Sequence, residues 1–292
     1  MKKYIYKKID AFTSGDSLGN PAACLYLGKE TLTPAEMLQI GRQHKGFVSE
    51  VVFCTDSEKA ECKLTYYSSE CEVDFCGHGT IAAMFEYISN DAKLLERDEI
   101  LIDTNKKGEL TVYNRIRTEN AIYITAPKAQ YLEVAVSQTE TVEALGLKNE
   151  DISDYYPLDF IDAGLRTLLI PVSKLDKEIS VFPDEVKLRE FCIKNGIDII
   201  LIFSKETSTS DFIAHTRVFA PKFGYLEDPA TGSGNSAFGN YMLKHGIWDG
   251  SPVSVEQGGN DRVYNVVKLA TEGEKILFGG SATLRIEGSY YF

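Results

Sequence analysis

Two glycine-rich turns, each running directly into an apolar segment, constrain the fold of this chain more than any other feature. The first turn, CGHGTIA, begins at Cys76, and the second, TGSGNSA, begins 155 positions later at Thr231. The segments that follow, residues 81–88 and 237–243, are apolar on nearly all sides. Because a helix without a polar face belongs in a protein interior, the sequence predicts two similar halves, each with a sheet around a central helix.

The rest of the chain contains many strand patterns and few helical ones. Alternating or β-branched runs such as YIYKKIDAF, FVSEVVFC and VYNVVKLA predict strands. One helix is expected to follow Thr33, where Pro34 and Glu36 complete a capping box, and others are expected at 80–90, 138–146, 183–195 and 235–246. Many antiparallel strands with few helices predict an α+β fold, and a change of composition near 126–140 predicts the link between its halves.

Charge and composition narrow the class of protein. The net charge of −12 and the scattered basic residues argue against nucleic acid as a partner. The sequence has no recognisable signal peptide and no apolar stretch of transmembrane length, so we expect no membrane partner and a cytoplasmic location. The six cysteines are then expected to be reduced thiols.

The glycine-rich turns are also candidate anion sites. A helix N-terminus presents N–H groups and the positive end of the helix dipole, and glycine lets an anion approach the backbone closely. Two such N-termini facing each other would bind a carboxylate from both sides. The alternative is that the glycines only permit tight turns, which we would favour for either turn alone but not for the pair. Neither turn matches G-x-G-x-x-G or a P-loop, so nucleotide binding is disfavoured.

Cys76 stands at the start of the first predicted helix. A thiol at a helix N-terminus has a depressed pKa and is reactive, but composition alone favours the alternative, a small buried thiol. A zinc site formed by Cys62, Cys71, Cys76 and His78 is a further alternative. The spacing of these residues matches no paired zinc-ligand pattern, so we predict no metal site.

Glu50 is the sharper candidate for chemistry. Strand alternation in FVSEVVFC puts it on the same face as Val48, Val52 and Cys54. If that face is the buried one, burial raises the pKa of the carboxyl group toward the range of a general acid/base. If Ser49, Val51 and Phe53 face inward instead, Glu50 is solvated, and the pattern alone leaves both alternatives open.

Two aspartates precede the glycine-rich turns. Asp74 and Asp228 could each cap the helix that follows, and Asp228 could also orient a histidine or receive a substrate amine. Among the four histidines, only His78 lies in a glycine-rich turn.

Six motifs occur in order along nearly the whole chain: GNPAAC (19–24), FVSEVVF (47–53), EVDFCGHGT (72–80), FAPKFGYLEDPATGSG (219–234), EQG (256–258) and ILFGGSATLRIEG (276–288). Together they resemble the PhzF-like family, the phenazine-biosynthesis isomerase-like proteins. The resemblance implies a diaminopimelate-epimerase-like fold of two pseudo-symmetric lobes, each a mostly antiparallel sheet around a central helix. The N-terminal lobe would comprise residues 1–127 and about 280–292, the C-terminal lobe 128–279, and the active site would lie between them.

The resemblance also implies cofactor-free proton transfer next to a substrate carboxylate. Glu50 matches the family's catalytic acid/base, and His78 and Asp228 match its polar companions. Backbone amides of the two turns would bind the carboxylate. The substrate-binding residues predicted around this centre are Asn20, Asp74, Gly77, Gly79, Thr80, Thr231, Gly232, Ser233 and Gly234.

Three departures bear on the substrate. Racemases and epimerases of the wider fold use two cysteines, whereas this chain has Cys76 and Thr231 at the matching positions, which excludes a two-thiol mechanism. Glu50 is left as the main proton carrier, with Cys76 as a possible second. The family often has Ala at Gly79 and Pro-Ser at 263–264, and the phenazine enzyme has a different turn without the cysteine, so its substrate is not carried over.

The sequence therefore predicts a cofactor-independent isomerase or epimerase acting on a small amino- or hydroxy-acid-like carboxylate. Two alternatives stay open: a non-catalytic small-molecule-binding protein of the same fold, and a cysteine-dependent hydrolase using Cys76. A homodimer is the assembly considered, and the sequence does not decide it.

Overall fold

The structure, a computed structural model, describes residues 2–259 and 263–292. The chain forms two units: unit 1 comprises Met1–Thr125 and Gly279–Phe292, and unit 2 comprises Ala126–Phe278. The chain therefore leaves unit 1 once and returns to it for its last strand.

The regular elements are named in chain order. The strands are β1 (Lys3–Ala11), β2 (Asn20–Gly28), β3 (Glu50–Thr55), β4 (Lys63–Ser68), β5 (Glu72–Val73), β6 (Glu99–Thr104), β7 (Gly108–Arg115), β8 (Ala121–Thr125), β9 (Gln130–Leu132), β10 (Asp159–Asp162), β11 (Arg166–Pro171), β12 (Ile199–Ser204), β13 (Ala214–Phe219), β14 (Glu227–Asp228), β15 (Val253–Gln257), β16 (Asn265–Glu272), β17 (Lys275–Gly280) and β18 (Ala282–Tyr291). The helices are α1 (Pro34–Gln43), α2 (Gly77–Ser89), α3 (Ile116–Glu119), α4 (Gln138–Leu145), α5 (Leu175–Ile179), α6 (Glu185–Lys194) and α7 (Gly232–Lys244).

The sheet of unit 1 is mixed, and most of its pairings are antiparallel. Strand β1 pairs antiparallel with both β18 and β2, and β2 pairs parallel with β3. Strand β3 pairs antiparallel with β4, β4 pairs parallel with β6, and β6, β7 and β8 form an antiparallel meander. This order makes β3 an interior strand, flanked by neighbours on both edges.

Helix α2 is the central helix of unit 1. It packs against β1, β2, β3, β8 and β18, and its Ile81, Ala82 and Ile88 are fully buried. Burial of each large apolar side chain stabilises the unit by roughly 1.5–3 kcal/mol. The prediction that this apolar segment is an interior helix is confirmed.

Helix α1 covers the other side of β3. Its N-cap is Thr33, with Pro34 at the first helical position and a reciprocal capping box to Glu36, as predicted. Ile40 of this helix packs with Val51 and Phe53 of β3 in one hydrophobic cluster. Strand β3 is therefore covered on both faces.

Unit 2 repeats the series of strand pairings seen in unit 1. Strands β10 and β11 pair antiparallel, β11 and β12 parallel, β12 and β13 antiparallel, β13 and β15 parallel, and β15 and β16 antiparallel. The same order of pairings joins β1, β2, β3, β4, β6 and β7 of unit 1. In each unit a two-residue strand, β5 or β14, then leads into the central helix.

Helix α7 is the central helix of unit 2. It contacts β10, β11, β12 and β16, and the rings of its Phe238 and Tyr241 lie 4.7 and 5.2 Å from the ring of Phe203 in β12. Helices α4 and α6 cover the opposite face of this sheet through a cluster that contains Val142, Leu188 and Ile200. The α+β fold with a central helix in each half is confirmed.

The helix bounds differ from the predicted ones mainly at the N-termini. Helices α2 and α7 begin at Gly77 and Gly232, three residues before the predicted 80 and 235, because the glycine-rich turns are themselves the first turns of the helices. Helices α4 and α6 lie within the predicted ranges, whereas the short helices α3 and α5 were not predicted. None of the helices in residues 2–259 and 263–292 has the length and apolarity required to cross a membrane.

Candidate active site

Glu50 is the first residue of β3, and its side chain lies on the α2 side of the strand. Val52, two residues on, faces α2 so closely that a Cβ at Gly79 would lie 2.8 Å from its Cγ2 atom. Side chains on both faces of this strand are buried, since Val51, Val52 and Phe53 are each at most 1% exposed. The Glu50 side chain retains 20% of its exposure, so it stands at the edge of the core.

Cys76 is the N-cap residue of α2. It is 5% exposed and has an extended backbone, and its Sγ atom accepts a hydrogen bond from the Gly79 N–H at 3.3 Å. This bond places the sulfur over the first turn of the helix. Gly79 permits it, because a Cβ there would lie 2.9 Å from the same sulfur.

The side chains of Glu50, Cys76 and His78 meet at this helix N-terminus. Glu50 Oε2 lies 3.3 Å from His78 Nε2 and 3.9 Å from Cys76 Sγ, and Cys76 Sγ lies 3.6 Å from His78 Nδ1. A proton donor and acceptor are therefore within reach of each other in all three pairs. The sequence linked Glu50 to Cys76 and His78 only through a family resemblance.

His78 is a neutral imidazole at ordinary pH. Burial lowers its pKa from 6.5 to about 4, and the polar backbone of Pro21 opposes that shift only in part. In a neutral imidazole one nitrogen is a donor and the other an acceptor. The neutral His78 ring therefore has a lone pair on one of its two nitrogens.

The same three residues are the described residues that could bind a metal ion. Their ligand atoms lie within 4.8 Å of one another, and no other group of three such residues occurs in the described parts of the chain. The zinc alternative considered from the sequence combined Cys76 and His78 with Cys62 and Cys71 rather than with Glu50. Cys62 is buried with its sulfur 3.6 Å from that of Met84, and Cys71 is exposed beside Ser68.

The other predicted residues of unit 1 have different environments. Asn20 is buried at the start of β2, Gly77 is partly exposed, and Asp74 is exposed. Thr80 is fully buried, and its hydroxyl donates to the Cys76 carbonyl at 2.7 Å and contacts the Tyr66 hydroxyl at 2.7 Å. The Thr80 hydroxyl is thus engaged in holding the turn.

In unit 2, Asp228 and Thr231 are joined directly. The Thr231 hydroxyl donates to Oδ2 of Asp228, both residues are buried, and Thr231 is the N-cap residue of α7 without a side-chain capping bond. Gly234 is buried and Ser233 is half-buried at the start of the helix. A Cβ at Gly232 would lie 2.2 Å from the Phe278 ring, which explains the glycine at that position.

Gln257 organises this turn and was not singled out from the sequence. Its Oε1 accepts from the Thr231 N–H at 3.0 Å and from Asn235 Nδ2 at 2.7 Å, and its Nε2 donates to the Asp228 carbonyl at 2.9 Å. The motif EQG marks its position, but nothing local indicates that it contacts a turn some 26 residues earlier in the chain.

Comparison with known proteins agrees with this architecture. The chain is 30% identical over 261 residues to the uncharacterized isomerase YfhB of Bacillus subtilis, which covers 88% of this chain and 87% of that protein. A phenazine biosynthesis protein of the PhzF family from Bacillus anthracis has a similar crystal structure, with a TM-score of 0.87, 26% identity and 100% of both chains covered. A hydroxyproline epimerase from Agrobacterium vitis, solved with bound trans-4-hydroxy-L-proline, shares the fold with a TM-score of 0.59 at 10% identity, covering 99% of this chain and 91% of that one.

The family assignment rests on the extent of the match. Residues 9–288 match the family described as phenazine biosynthesis-like protein. The predicted epimerase-like fold is confirmed by the solved structures, and the predicted enzyme class agrees with relatives that are named isomerases. This chain belongs to the phenazine biosynthesis-like protein family.

Proposed function

We propose that this protein is an isomerase in which Glu50 moves a proton on a small carboxylate-bearing substrate. The observation that carries the proposal is the position of the Glu50 carboxyl group, mostly buried and 3.3 Å from a neutral histidine at the N-terminus of α2. A general acid/base needs a restricted, partly desolvated position within reach of the reacting atom, and this is such a position.

The substrate carboxylate would bind at the first turn of α2. The N–H groups of Gly77 and His78 are the first two of the helix and have no intrahelical acceptor, since the bond to the Cys76 carbonyl comes from Thr80. They lie at the positive end of the helix dipole, and both features favour an anion. A bound carboxylate would bring its neighbouring carbon close to Glu50.

Proton transfer then uses side chains of this chain alone. The Glu50 carboxylate takes a proton from the carbon next to the substrate carboxylate, and the negative charge left on the substrate is shared with the carboxylate held by the N–H groups. Return of the proton from Glu50 to a different carbon, or delivery of a proton by a second group to the other face of the same carbon, completes an isomerisation. Cys76 is the second group that could supply a proton, since its sulfur lies 3.9 Å from Glu50 Oε2.

His78 would act as a positioning residue for Glu50. The neutral ring can accept a hydrogen bond from a protonated Glu50 through the lone pair of one nitrogen. This arrangement stabilises the protonated carboxyl group of Glu50 after it has taken the substrate proton and before it gives the proton back. The sequence prediction that Asp228 and residues 231–234 of unit 2 also bind the substrate stays a prediction.

The test of the proposal is exchange of substrate hydrogen with solvent. Amino- and hydroxy-acids are incubated with the protein in heavy water, and deuterium incorporation is followed by NMR and mass spectrometry. The proposal expects incorporation at a carbon next to, or conjugated with, the carboxylate of at least one compound. Turnover without any solvent-derived hydrogen in the product would contradict it.

A cysteine-dependent hydrolase is the second candidate, because Cys76 Sγ lies 3.6 Å from His78 Nδ1. A nucleophilic thiol with a histidine base forms an acyl intermediate, so it would release a stoichiometric burst of product from an activated ester. A burst that disappears in Cys76→Ala would favour this candidate over the isomerase.

A further inference from the structure

Tyr66 is a buried side chain next to the first turn of α2, and the proposed mechanism does not use it. It is fully buried in β4, where it pairs with Val52 of β3. Its ring packs edge-to-face on Phe75, with ring centroids 5.8 Å apart, and its hydroxyl lies 2.7 Å from the Thr80 hydroxyl. Tyr66 therefore contacts the residue before Cys76 and a residue in the helix that Cys76 caps.

The direction of the hydrogen bonds at Thr80 follows from the number of protons. The Thr80 hydroxyl donates to the Cys76 carbonyl at 2.7 Å, since a carbonyl can only accept. A hydroxyl has one proton, so Thr80 cannot also donate to Tyr66. The Tyr66 hydroxyl is therefore the donor to Thr80, and a hydrogen-bond chain runs from Tyr66 through Thr80 to Cys76.

This hydrogen-bond chain ends at the peptide group between Cys76 and Gly77. The Cys76 carbonyl accepts a second hydrogen bond, from the Thr80 N–H at 2.9 Å, so both of its lone pairs are engaged. In a planar trans peptide the carbonyl and the N–H point in opposite directions. Because the carbonyl is held toward Thr80, the Gly77 N–H is directed away from Thr80.

We propose that Tyr66 and Thr80 are positioning residues that orient and polarise the Gly77 N–H for an anionic ligand. The inference rests on the proposed function, in which that N–H binds the substrate carboxylate. Hydrogen bonds in series polarise one another, by about 10–30% per bond, and a buried, low-dielectric environment makes each bond electrostatically stronger. A carbonyl that accepts two hydrogen bonds draws electron density from its own amide nitrogen, so the N–H of that amide becomes a stronger donor.

Unit 2 repeats this arrangement with different side chains. At the start of α7 the Thr231 carbonyl accepts two hydrogen bonds from the residue four positions on, from the Asn235 N–H at 3.1 Å and from Asn235 Nδ2 at 3.0 Å. Asn235 is in turn held by a buried side chain from a strand, since its Nδ2 donates to Gln257 Oε1 at 2.7 Å. The doubly bonded carbonyl therefore recurs at both glycine-rich turns, although the side chains that form it differ.

The sequence allows the peptide group at the end of the hydrogen-bond chain to be observed alone. The dipeptide Cys-Gly occurs once, at 76–77, so protein labelled with ¹³C at the cysteine carbonyl and with ¹⁵N in glycine gives a single coupled amide signal in NMR. The ¹³C shift reports the hydrogen bonds that the Cys76 carbonyl accepts, and the ¹H shift reports the Gly77 N–H. Acetate is the anionic probe, and its titration gives a dissociation constant at this peptide group.

We expect acetate to move the Gly77 amide proton of the unaltered protein downfield until the signal saturates. Tyr66→Phe removes only the donor hydroxyl, so it should move the Cys76 carbonyl signal upfield and weaken acetate binding by roughly 2- to 4-fold. Thr80→Val removes the hydroxyl that bonds directly to the carbonyl and should weaken binding further. Thr80→Ser restores that hydroxyl and should recover most of both effects.

Tyr67→Phe is the matched control. Tyr67 is the neighbour of Tyr66 in β4, is 3% exposed, and packs with Phe53 and Ile40 in the cluster on the α1 side. Loss of its hydroxyl should change neither the carbonyl signal nor the acetate dissociation constant. Urea denaturation of each variant separates the two roles, because a packing role alone would lower the stability of Tyr66→Phe without changing its acetate affinity.

The outcomes distinguish this inference from the proposed function. A carbonyl signal and an acetate dissociation constant that are the same in Tyr66→Phe and in the unaltered protein would overturn the role of Tyr66 and leave proton transfer by Glu50 standing. Acetate that leaves the Gly77 signal of the unaltered protein unmoved would contradict the proposed carboxylate site and, with it, the role of the hydrogen-bond chain in binding. The carbonyl shift of Tyr66→Phe, recorded without acetate, tells these two failures apart.

Discussion

The Glu50 carboxyl oxygen Oε2 lies 3.3 Å from His78 Nε2, at the point where β3 begins and α2 starts. The side chains of Glu50 and His78 are only 20% and 14% exposed. This contact puts a carboxyl group next to an imidazole that burial keeps neutral, and the chemistry proposed for the site depends on it.

The first prediction concerns the charge of His78. Because burial lowers its pKa to about 4, the ring should stay neutral as the pH falls through 6.5 and become protonated only near pH 4. Two-dimensional NMR of protein with isotope-labelled histidine measures the titration, and His78→Gln identifies the signal. A midpoint near 6.5 would show that the ring is solvated and would contradict the geometry described.

The second prediction concerns Gly79. A Cβ at this position would lie 2.8 Å from Val52 Cγ2 and 2.9 Å from Cys76 Sγ, both buried. Gly79→Ala should therefore lower the free energy of unfolding by about 1–3 kcal/mol, as overpacked cores do, and displace the thiol. Urea denaturation measures the first effect and the rate of Cys76 alkylation the second.

Gly288→Ala is the control for this variant. Gly288 lies in β18, is exposed, and has no atom within 4 Å of an added Cβ. Its stability should not fall, because alanine loses less conformational entropy than glycine when a strand forms. Equal losses of unfolding free energy in the two variants would mean that crowding around Gly79 does not cause the loss.

The sequence predicted which helices and strands form the site better than it predicted the geometry of the site. The two glycine-rich turns identified both central helices, because an apolar segment without a polar face has one stable environment. Alternation could not decide which way Glu50 points, since Val51 and Val52 on opposite faces of β3 are both buried. Only the packing of α1 on one face and α2 on the other resolves it.

Contacts between residues far apart in the chain were the other feature that the sequence did not predict. Gln257 bonds to Thr231 and Asp228 through the fold of unit 2, and no periodicity or spacing marks such a contact. In the same way Cys76, a candidate nucleophile in the sequence, also acts as the N-cap of α2. A cap formed by sulfur lies outside the usual Ser, Thr, Asp and Asn pattern, so local rules did not predict it.

The third prediction concerns Gln257. Leucine at this position would leave the Thr231 N–H, the Asn235 side chain and the Asp228 carbonyl with one buried partner fewer each. We expect Gln257→Leu to lower the free energy of unfolding by about 2–4 kcal/mol, because each unsatisfied buried group costs about 1–3 kcal/mol and partial relaxation offsets some of the loss. Gln138→Leu, at an exposed position in α4, is the control and should change stability by less than about 0.5 kcal/mol. A loss below 1 kcal/mol in Gln257→Leu would refute the role assigned to this side chain.

The fourth prediction concerns a fully buried pair in unit 2. Glu178 Oε1 lies 3.1 Å from His215 Nδ1, and neither side chain is exposed. Burial raises the pKa of Glu178 well above 4.5 and lowers the pKa of His215 from 6.5 to about 4. The positive charge of the nearby Arg217 is balanced by Glu227, which accepts two hydrogen bonds from the guanidinium group at 2.8 and 2.9 Å.

The sign of the pH dependence follows from proton counts. In the folded protein the pair holds one proton from about pH 4 up to the raised pKa of Glu178. In the unfolded chain the same two groups hold two protons below pH 4.5, one proton between pH 4.5 and 6.5, and none above pH 6.5. The contribution of the pair to stability is thus flat between 4.5 and 6.5 and falls on either side. The fall above 6.5 has a limiting slope of about 1.4 kcal/mol per pH unit.

The measurement is the difference in unfolding free energy between the unaltered protein and the double variant Glu178→Gln, His215→Gln across pH 4 to 8. Because the variant lacks both titrating groups, contributions from the other residues cancel in the difference. A difference that changes steadily between pH 4.5 and 6.5 would show that the folded pair does not hold one proton, contrary to the structure.

The most direct test of the central claim, that Glu50 carries the proton, is deuterium incorporation by Glu50→Gln beside Cys76→Ala, on whichever carboxylate the unaltered protein turns over. Glutamine keeps the size of the side chain but cannot take up the substrate proton, so incorporation should slow by about 10²–10⁴-fold. Cys76→Ala should lose much less, because the thiol caps α2 and is only a second proton source. Full incorporation by Glu50→Gln together with none by Cys76→Ala would transfer the chemistry to the thiol and contradict the account.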